Sequence, residues 1–473
     1  MRNTAPNQQL AALLQNLGWS LSRLTDAINQ LLGPRYVARS TVAEWLARGR
    51  IPRDPLPAVT AHVLAEALGH PVPLEQLWGP GVRSVSTSRA DDGLPLPTTP
   101  GATVETATQW TREGDMDLDR RHFLAISGAA LALTGPTAAT APRTAAAPAA
   151  VLHGPLVTPA VAEAIDATVQ AVRRMDDAEG GDRSTLRHAH KQFALVADHV
   201  RADRFSDSAT RTRTMGLWGQ LAQTVGWMAM DAGLHGLAQR YWRTGLTAAH
   251  EAGDPALVSH IHGCLTYQAI SRSEFRDALD LANASITAAR GAPPSVRALA
   301  AARHAHAHAA LGDIHGLRQS TDEARRHLTH PDALASRPPW LYWLTDLSVV
   351  TGQSLITAAF ADGAPADRRA AGLLEEADPL ITGWLGTHAE RTEDRDALLH
   401  GTWLARSYLA RDDLDQTLVT ATSLLRYATT VRSAHVRSIL VDLEADLARR
   451  HDLRGHRDTL ALRAQLRDLA SYK

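Results

Sequence analysis

Residues Ser40 to Pro57 read STVAEWLARGRIPRDPLP. Ser40 is placed to cap a helix at its N-terminus, and Gly49 to end it in the left-handed conformation. Val42, Trp45 and Leu46 recur at helical spacing and predict one apolar face. Thr41, Glu44 and Arg48 fall opposite, with Ala43 and Ala47 leaving room beside them. Arg35, Arg39, Arg48, Arg50 and Arg53 lie in and around the segment, against Glu44 and Asp54. A polar face of short and bidentate side chains, flanked by cations, suits the reading of base edges in a DNA major groove. An ordinary amphipathic helix with a solvated basic face has the same composition, so the flanks have to decide.

Upstream, Leu10, Leu13, Leu14 and Leu17 form a helical stripe closed by Gly18. Ser20 caps a second pattern carrying Leu21, Leu24, Ile28, Leu31 and Leu32, closed by Gly33-Pro34. Downstream, Pro57 opens a third pattern through Val59, Val63, Leu64, Ala67 and Leu68, closed by Gly69, and a short turn follows from Leu74 to Trp78. Several short helices packed in so few residues predict a compact helix-turn-helix domain over residues 1–80, with Trp45 in its core.

GWSLSRLTDAINQLLG, STVAEWLARG, RIPRDPLP and ALGHPVPLEQLWG together resemble the lambda-repressor-type (XRE) helix-turn-helix. They come closest to a variant in actinobacterial regulators of differentiation and antibiotic production. There the recognition helix ends in Trp-Leu, followed by glycine and a Pro-Arg-acid-Pro-aliphatic-Pro run, as Trp45-Leu46, Gly49 and Pro52 to Pro57 do here. Gly33 to Arg39 is longer than the standard connection, and one extra residue separates Trp45 from Gly49. The resemblance implies that double-stranded DNA is the partner. Arg48 is then the base-reading residue, Arg35 and Arg53 go to phosphates, and Arg39 and Arg50 go to either. Ser40, Thr41 and Glu44 face the groove.

The whole chain has 473 residues and is nearly neutral, with 49 basic and 50 acidic side chains, so affinity for nucleic acid must be local. Residues 1–80 hold seven arginines and five acids. So modest an excess predicts that a homodimer is needed for tight binding, because phosphate neutralisation dominates affinity. Cys264 is the single cysteine, which excludes an internal disulfide and fits a reducing, cytoplasmic setting.

Residues 81–118 are rich in Gly, Pro, Ser and Thr without apolar period and predict a flexible linker. Residues 119–155 open with Asp119-Arg120-Arg121-His122-Phe123-Leu124 and continue into an apolar and Ala/Pro-rich tract. In isolation this resembles a twin-arginine export signal, and Met116 is placed to start a shorter product carrying it. Behind a folded domain it predicts instead an apolar helix docked on the C-terminal domain or on a dimer partner. The run is interrupted by Gly128, Gly135 and Pro136 and is shorter than a bilayer span, so no membrane association is expected of the full-length chain.

From residue 156 to 473 helix follows helix. Segments starting at His235, Phe275 and His315 align at equal spacing, each behind a helix of small and aromatic residues and each ending in a Gly, Pro or Asp turn. A tandem helix-turn-helix unit predicts an α-solenoid, and the alanine, leucine and aromatic positions resemble lengthened tetratricopeptide repeats. The register loosens between Pro338 and Thr387. It resumes with Leu398–Ala410 against Leu414–Tyr427 and a last pair over Val436–Leu469. The predicted fold class is therefore all-α. A groove lined by the first helix of each pair is the expected ligand or partner surface, with Trp218, Trp227, Tyr267, Trp343 and Trp403 as candidate lining residues. Joined to a DNA-reading head, such a groove resembles the peptide-sensing regulators of Gram-positive bacteria; a peptide, a small molecule or a protein are all open as its ligand.

No phosphate loop, nucleophile elbow or paired-carboxylate motif is present, so no catalytic residue, cofactor or enzymatic activity is expected. His304 and His308 lie one turn apart but lack a neighbouring carboxylate, and no metal site is assigned. Two functions are compatible with these features. One is a sequence-specific transcriptional regulator whose repeats dimerise or sense a signal. The other is a protein-interaction scaffold whose head does not bind DNA.

Overall fold

The computed structural model describes residues 6–32, 36–52, 56–68, 72, 77–78, 156–180, 182–362, 368–388, 394–428 and 431–471. Arg35, Arg53, the segment 81–118 and the segment 119–155 lie outside the described residues. The described residues are all-helical apart from turns and one isolated bridge between Val157 and Phe205. They fall into two compact units, one within residues 6–78 and one within 156–471.

The N-terminal unit holds α1 (Gln8–Leu17), α2 (Leu21–Leu32), α3 (Arg39–Arg48) and α4 (Leu56–Leu68). Asn7 caps α1, accepting from Leu10 N at 2.9 Å, and Gly18 closes it in the left-handed conformation at φ 61°. Ser20 accepts from Arg23 N at 3.2 Å at the start of α2. Leu10, Leu14, Leu24, Ile28, Val42, Trp45, Val59 and Leu64 are buried together in one core. The expected cap at Ser40 is displaced. The helix starts at Arg39, with Ala38 in extended backbone at the cap position and no side-chain cap bond. Ala38 O already accepts from Thr41 N at 2.9 Å, so the turn closes without a hydroxyl and Ser40 is left exposed.

In the C-terminal unit seven helix pairs follow one another. They are α5 (Pro159–Glu179) with α6 (Arg183–Ala202), α7 (Ser208–Asp231) with α8 (His235–Ala252), and α9 (Pro255–Ser271) with α10 (Phe275–Ala288). Then come α11 (Pro294–Ala310) with α12 (Ile314–Leu328), and α13 (Ser348–Ala359) with α14 (Arg368–His388). The last two are α15 (Asp394–Ala410) with α16 (Leu414–Ala428), and α17 (Ala434–Arg449) with α18 (Arg457–Ser471). Packing is densest within the pairs from α7 to α16, whereas α5 and α6 each pack more on α7 than on one another. The interrupted register near Pro338 is a turn-rich connection containing a short 3-10 helix, Pro339–Leu341, between α12 and α13.

Small residues set the close approach of α7 to α8. A Cβ added at Gly226 would lie 2.4 Å from Trp242 Nε1, so the indole rests on bare backbone there. From that position Trp242 Nε1 donates to Gln223 O at 3.1 Å.

The row of pairs curls until its ends meet. Tyr267 Oη lies 3.1 Å from His435 Nε2, across 168 residues. Ser433 Oγ donates to Asp231 at 2.5 Å, joining α7 to the start of α17. Arg395 stands between Asp176 (3.2 Å) and Asp231 (3.7 Å), tying α5 and α7 to α15. Burial is the main influence on Asp176 and pushes its carboxyl up to about 7, against the pull of Arg395.

Candidate functional sites

Helix α3 buries Val42 and Trp45 and leaves Arg39, Ser40, Thr41 and Arg48 exposed, with Glu44 half-buried. The tryptophan is the anchor: its ring meets that of Trp78 edge-to-face at 5.9 Å, and Trp78 Nε1 donates to Pro57 O at 3.1 Å. Gly49, at φ 57°, ends the helix and sends the chain to exposed Arg50, which pairs with Glu44 at 2.8 Å. Both partners of that pair are well solvated, so it contributes at most about 1 kcal/mol. Its main consequence is that the acid on the exposed face is already balanced.

Asn29 holds the approach to this helix. Its Oδ1 accepts from Val37 N at 2.9 Å and its Nδ2 donates to Val37 O at 3.1 Å. A side chain on α2 thus replaces the strand-like partner that the extended backbone before α3 otherwise lacks. Asn7 does the same on the other side, donating to Leu77 O at 2.9 Å while its own N–H donates to Leu46 O at 2.9 Å. Neither asparagine stood out in the sequence, where the only available signal was helix capping by Asn7.

In the C-terminal unit a cavity of about 450 Å³ lies inside the curl. Its walls come largely from the first helices of the pairs: Tyr267 on α9, His306 on α11, Gln353 and Thr357 on α13, Trp403 and Arg406 on α15, and His435 on α17. Among the residues singled out from sequence, Tyr267 and Trp403 line it. Trp227 lies behind Tyr267, ring to ring at 5.5 Å. Trp218 is fully buried and stacked on Phe193 at 5.6 Å, an inter-helix core position. Trp343 is 41% exposed, in the connection between α12 and α13.

The cavity wall is polar without carrying free charge. Burial holds His235 down at about 4 and His306 at about 3, and lowers His435 as well, so all three are neutral near pH 7. Arg406 bonds Asp446 at 2.7 Å and Asp442 at 3.3 Å while its guanidinium lies over Phe360 and Trp403, 5.1 and 5.0 Å from the ring centroids.

His304 and His308 meet edge-to-face at 4.5 Å. His304 Nδ1 is bonded to Ser320 at 2.9 Å and its Nε2 to Asn283 at 3.1 Å, while His308 Nδ1 pairs with Asp313 at 2.8 Å, so the pair does have a neighbouring carboxylate, brought in by the turn after the helix. Cys264 is buried, and burial pushes its thiol up to about 11, far from a reactive thiolate.

A family model described as the SP15 N-terminal domain matches residues 10–78, the span that contains α1 to α4. A search of curated proteins and a search of solved structures give no match. No helix among the described residues is long and apolar enough to cross a membrane.

Proposed function

We propose that the chain is a sequence-specific, DNA-binding transcriptional regulator, acting as a homodimer in the cytoplasm. Its N-terminal unit is a helix-turn-helix head, and its C-terminal unit is a tetratricopeptide-like solenoid that dimerises or senses a signal without enzymatic activity. The observation that carries this reading is the division of α3. Val42 and Trp45 are buried, while Arg39, Ser40, Thr41 and Arg48 stand exposed on a helix clamped at both ends. A rigid helix with a small, basic outer face suits the major groove, where the N-terminal turn of a recognition helix meets base edges. Arg48 reads bases, Arg39 and Arg50 contact phosphate or base, and Arg35 and Arg53 add phosphate contacts. Glu44, held by Arg50, does not repel the backbone.

Genome-wide immunoprecipitation of the full-length protein should recover a limited set of paired promoter sites. On a recovered site, Arg48→Ala should lower affinity by about tenfold or more while leaving non-specific binding unchanged. Arg53→Ala should weaken all sequences alike and reduce the salt slope by about one. Indifference of the protein to every fragment, at low salt as well as high, sinks the proposal in favour of a protein-interaction scaffold.

A further inference from the structure

We infer that the cavity inside the curl of the repeat domain is a binding site for an uncharged, ring-containing small molecule. This deepens the sensing half of the proposed function, and rests on that reading only for its consequence at DNA.

Size comes first. About 450 Å³ lies within the range of small-molecule sites. Aromatic surface comes next: Tyr267, Phe275, Phe360 and Trp403 all contribute to the wall, and flat rings favour a flat occupant.

Charge then narrows the class. An anion entering the cavity meets neutral histidines and an arginine already committed to Asp442 and Asp446. A cation meets Asp442 in the same pair. Either ion loses its hydration without gaining a free counter-charge, which disfavours both. The two charged termini of a short peptide are disfavoured on the same ground.

Polar groups behind the wall fix the tautomer of His306. Thr357 Oγ1 donates its one proton to Gln353 O at 2.8 Å. It must therefore accept from His306 Nε2, 3.1 Å away, which leaves Nδ1 as a bare acceptor. That Nδ1 is buried without a partner, and so is the indole N–H of Trp403. Both atoms are closed off from the cavity, so an occupant meets these two rings without reaching either nitrogen.

Position adds a consequence. Tyr267 on the third pair and His435 on the seventh both line the cavity and meet across it, so the site is complete only while the curl is closed. A ligand there stabilises the closed form, because it binds that form and not the open one.

The test uses two probes that share a ring system and differ in charge. N-phenyl-1-naphthylamine is neutral, and 8-anilinonaphthalene-1-sulfonate carries a sulfonate. Full-length protein is titrated with each and followed by probe fluorescence. The expected result is saturable binding of the neutral probe at one per chain, with the anionic probe at least tenfold weaker. Ser438→Trp, at an exposed position on the rim, should lower the neutral probe's affinity at least tenfold with the melting temperature unchanged. Should Ser438→Trp unfold the protein, competition at the wild-type site by neutral naphthalen-1-ol but not by naphthalene-1-sulfonate replaces it. Absence of saturable binding, equal affinity for both probes, or binding untouched by Ser438→Trp or indifferent to the competitor's charge would each overturn the inference. No DNA is present in these titrations, so a protein that takes the probe yet ignores promoters separates this site from the reading of the head.

Discussion

Removing the indole of Trp45 takes away a fully buried side chain and its edge-to-face contact with Trp78. A cavity of that size costs about 3–5 kcal/mol, more than a small helical unit can spare. Trp45→Ala in the full-length protein should therefore abolish amide-exchange protection across α1 to α4 and leave α7 to α18 protected. Retained protection in α2 and α3 would show that the core does not centre on this ring. Arg48 sits one helical turn from Trp45 with its side chain in solvent, so its loss should leave the fold intact. The pair separates folding from recognition on a single helix.

At the scale of the element, the repeat is written in its turns. Gly233, Ser273, Gly312 and Asp412 each occupy the second position after a first helix and adopt positive φ, at 78°, 61°, 72° and 64°. In each turn the following N–H reaches back five residues. Leu234 N bonds Ala229 O at 2.8 Å, Glu274 N bonds Ala269 O at 2.9 Å, and Asp313 N and Asp413 N bond His308 O and Tyr408 O, both at 3.0 Å. A serine in that conformation is strained where a glycine is not. Ser273→Gly should accordingly raise stability by about 0.5–1 kcal/mol in denaturant titrations, the relief of strain exceeding the added freedom of the unfolded chain. Gly226 makes the opposite case. Gly226→Ala forces the Trp242 ring off the helix and breaks its bond to Gln223 O, and should destabilise by about 1–3 kcal/mol. An unchanged midpoint would mean that α7 and α8 can slide apart freely. The Gly, Pro and Asp turns that follow the second helices were legible in the sequence, whereas this set was missed, because a serine in it carries no signature of positive φ.

Across the whole molecule, buried histidines set the response to acid. Burial holds His235 and His262 down at about 4, and His260 and His306 at about 3. In the unfolded chain each takes up a proton near pH 6.5, so below that pH the unfolded state binds protons that the native state refuses. Each such group removes about 1.4 kcal/mol per pH unit until its folded value is reached. Asp176 works in the other direction. Raised by burial to about 7, it protonates earlier in the folded state and adds stability as pH falls towards 3.8. Four histidines outweigh one aspartate, and the denaturation midpoint of the repeat domain should fall steadily between pH 6.5 and 4.5. A midpoint that stays level over that interval would contradict the burial of these rings.

Helix type, the helix-ending role of Gly18 and Gly49, the anchoring role of Trp45 and the spacing of the helix pairs were all settled by the order of residues. Each depends on side chains three or four positions apart or on a turn a few residues long. The exposed face of α3 was legible for the same reason, being what remains once the apolar stripe is buried. Which aromatic residues would be core and which would line a cavity was decided only in three dimensions. Trp218 and Trp403 look alike along a helix, yet one stacks on Phe193 and the other borders open space inside the curl. That difference comes from small rotations accumulated over successive pairs, which bring Tyr267 to His435 and Asp176 to Arg395. No local pattern encodes such a sum, because it is set by how every pair packs on the next.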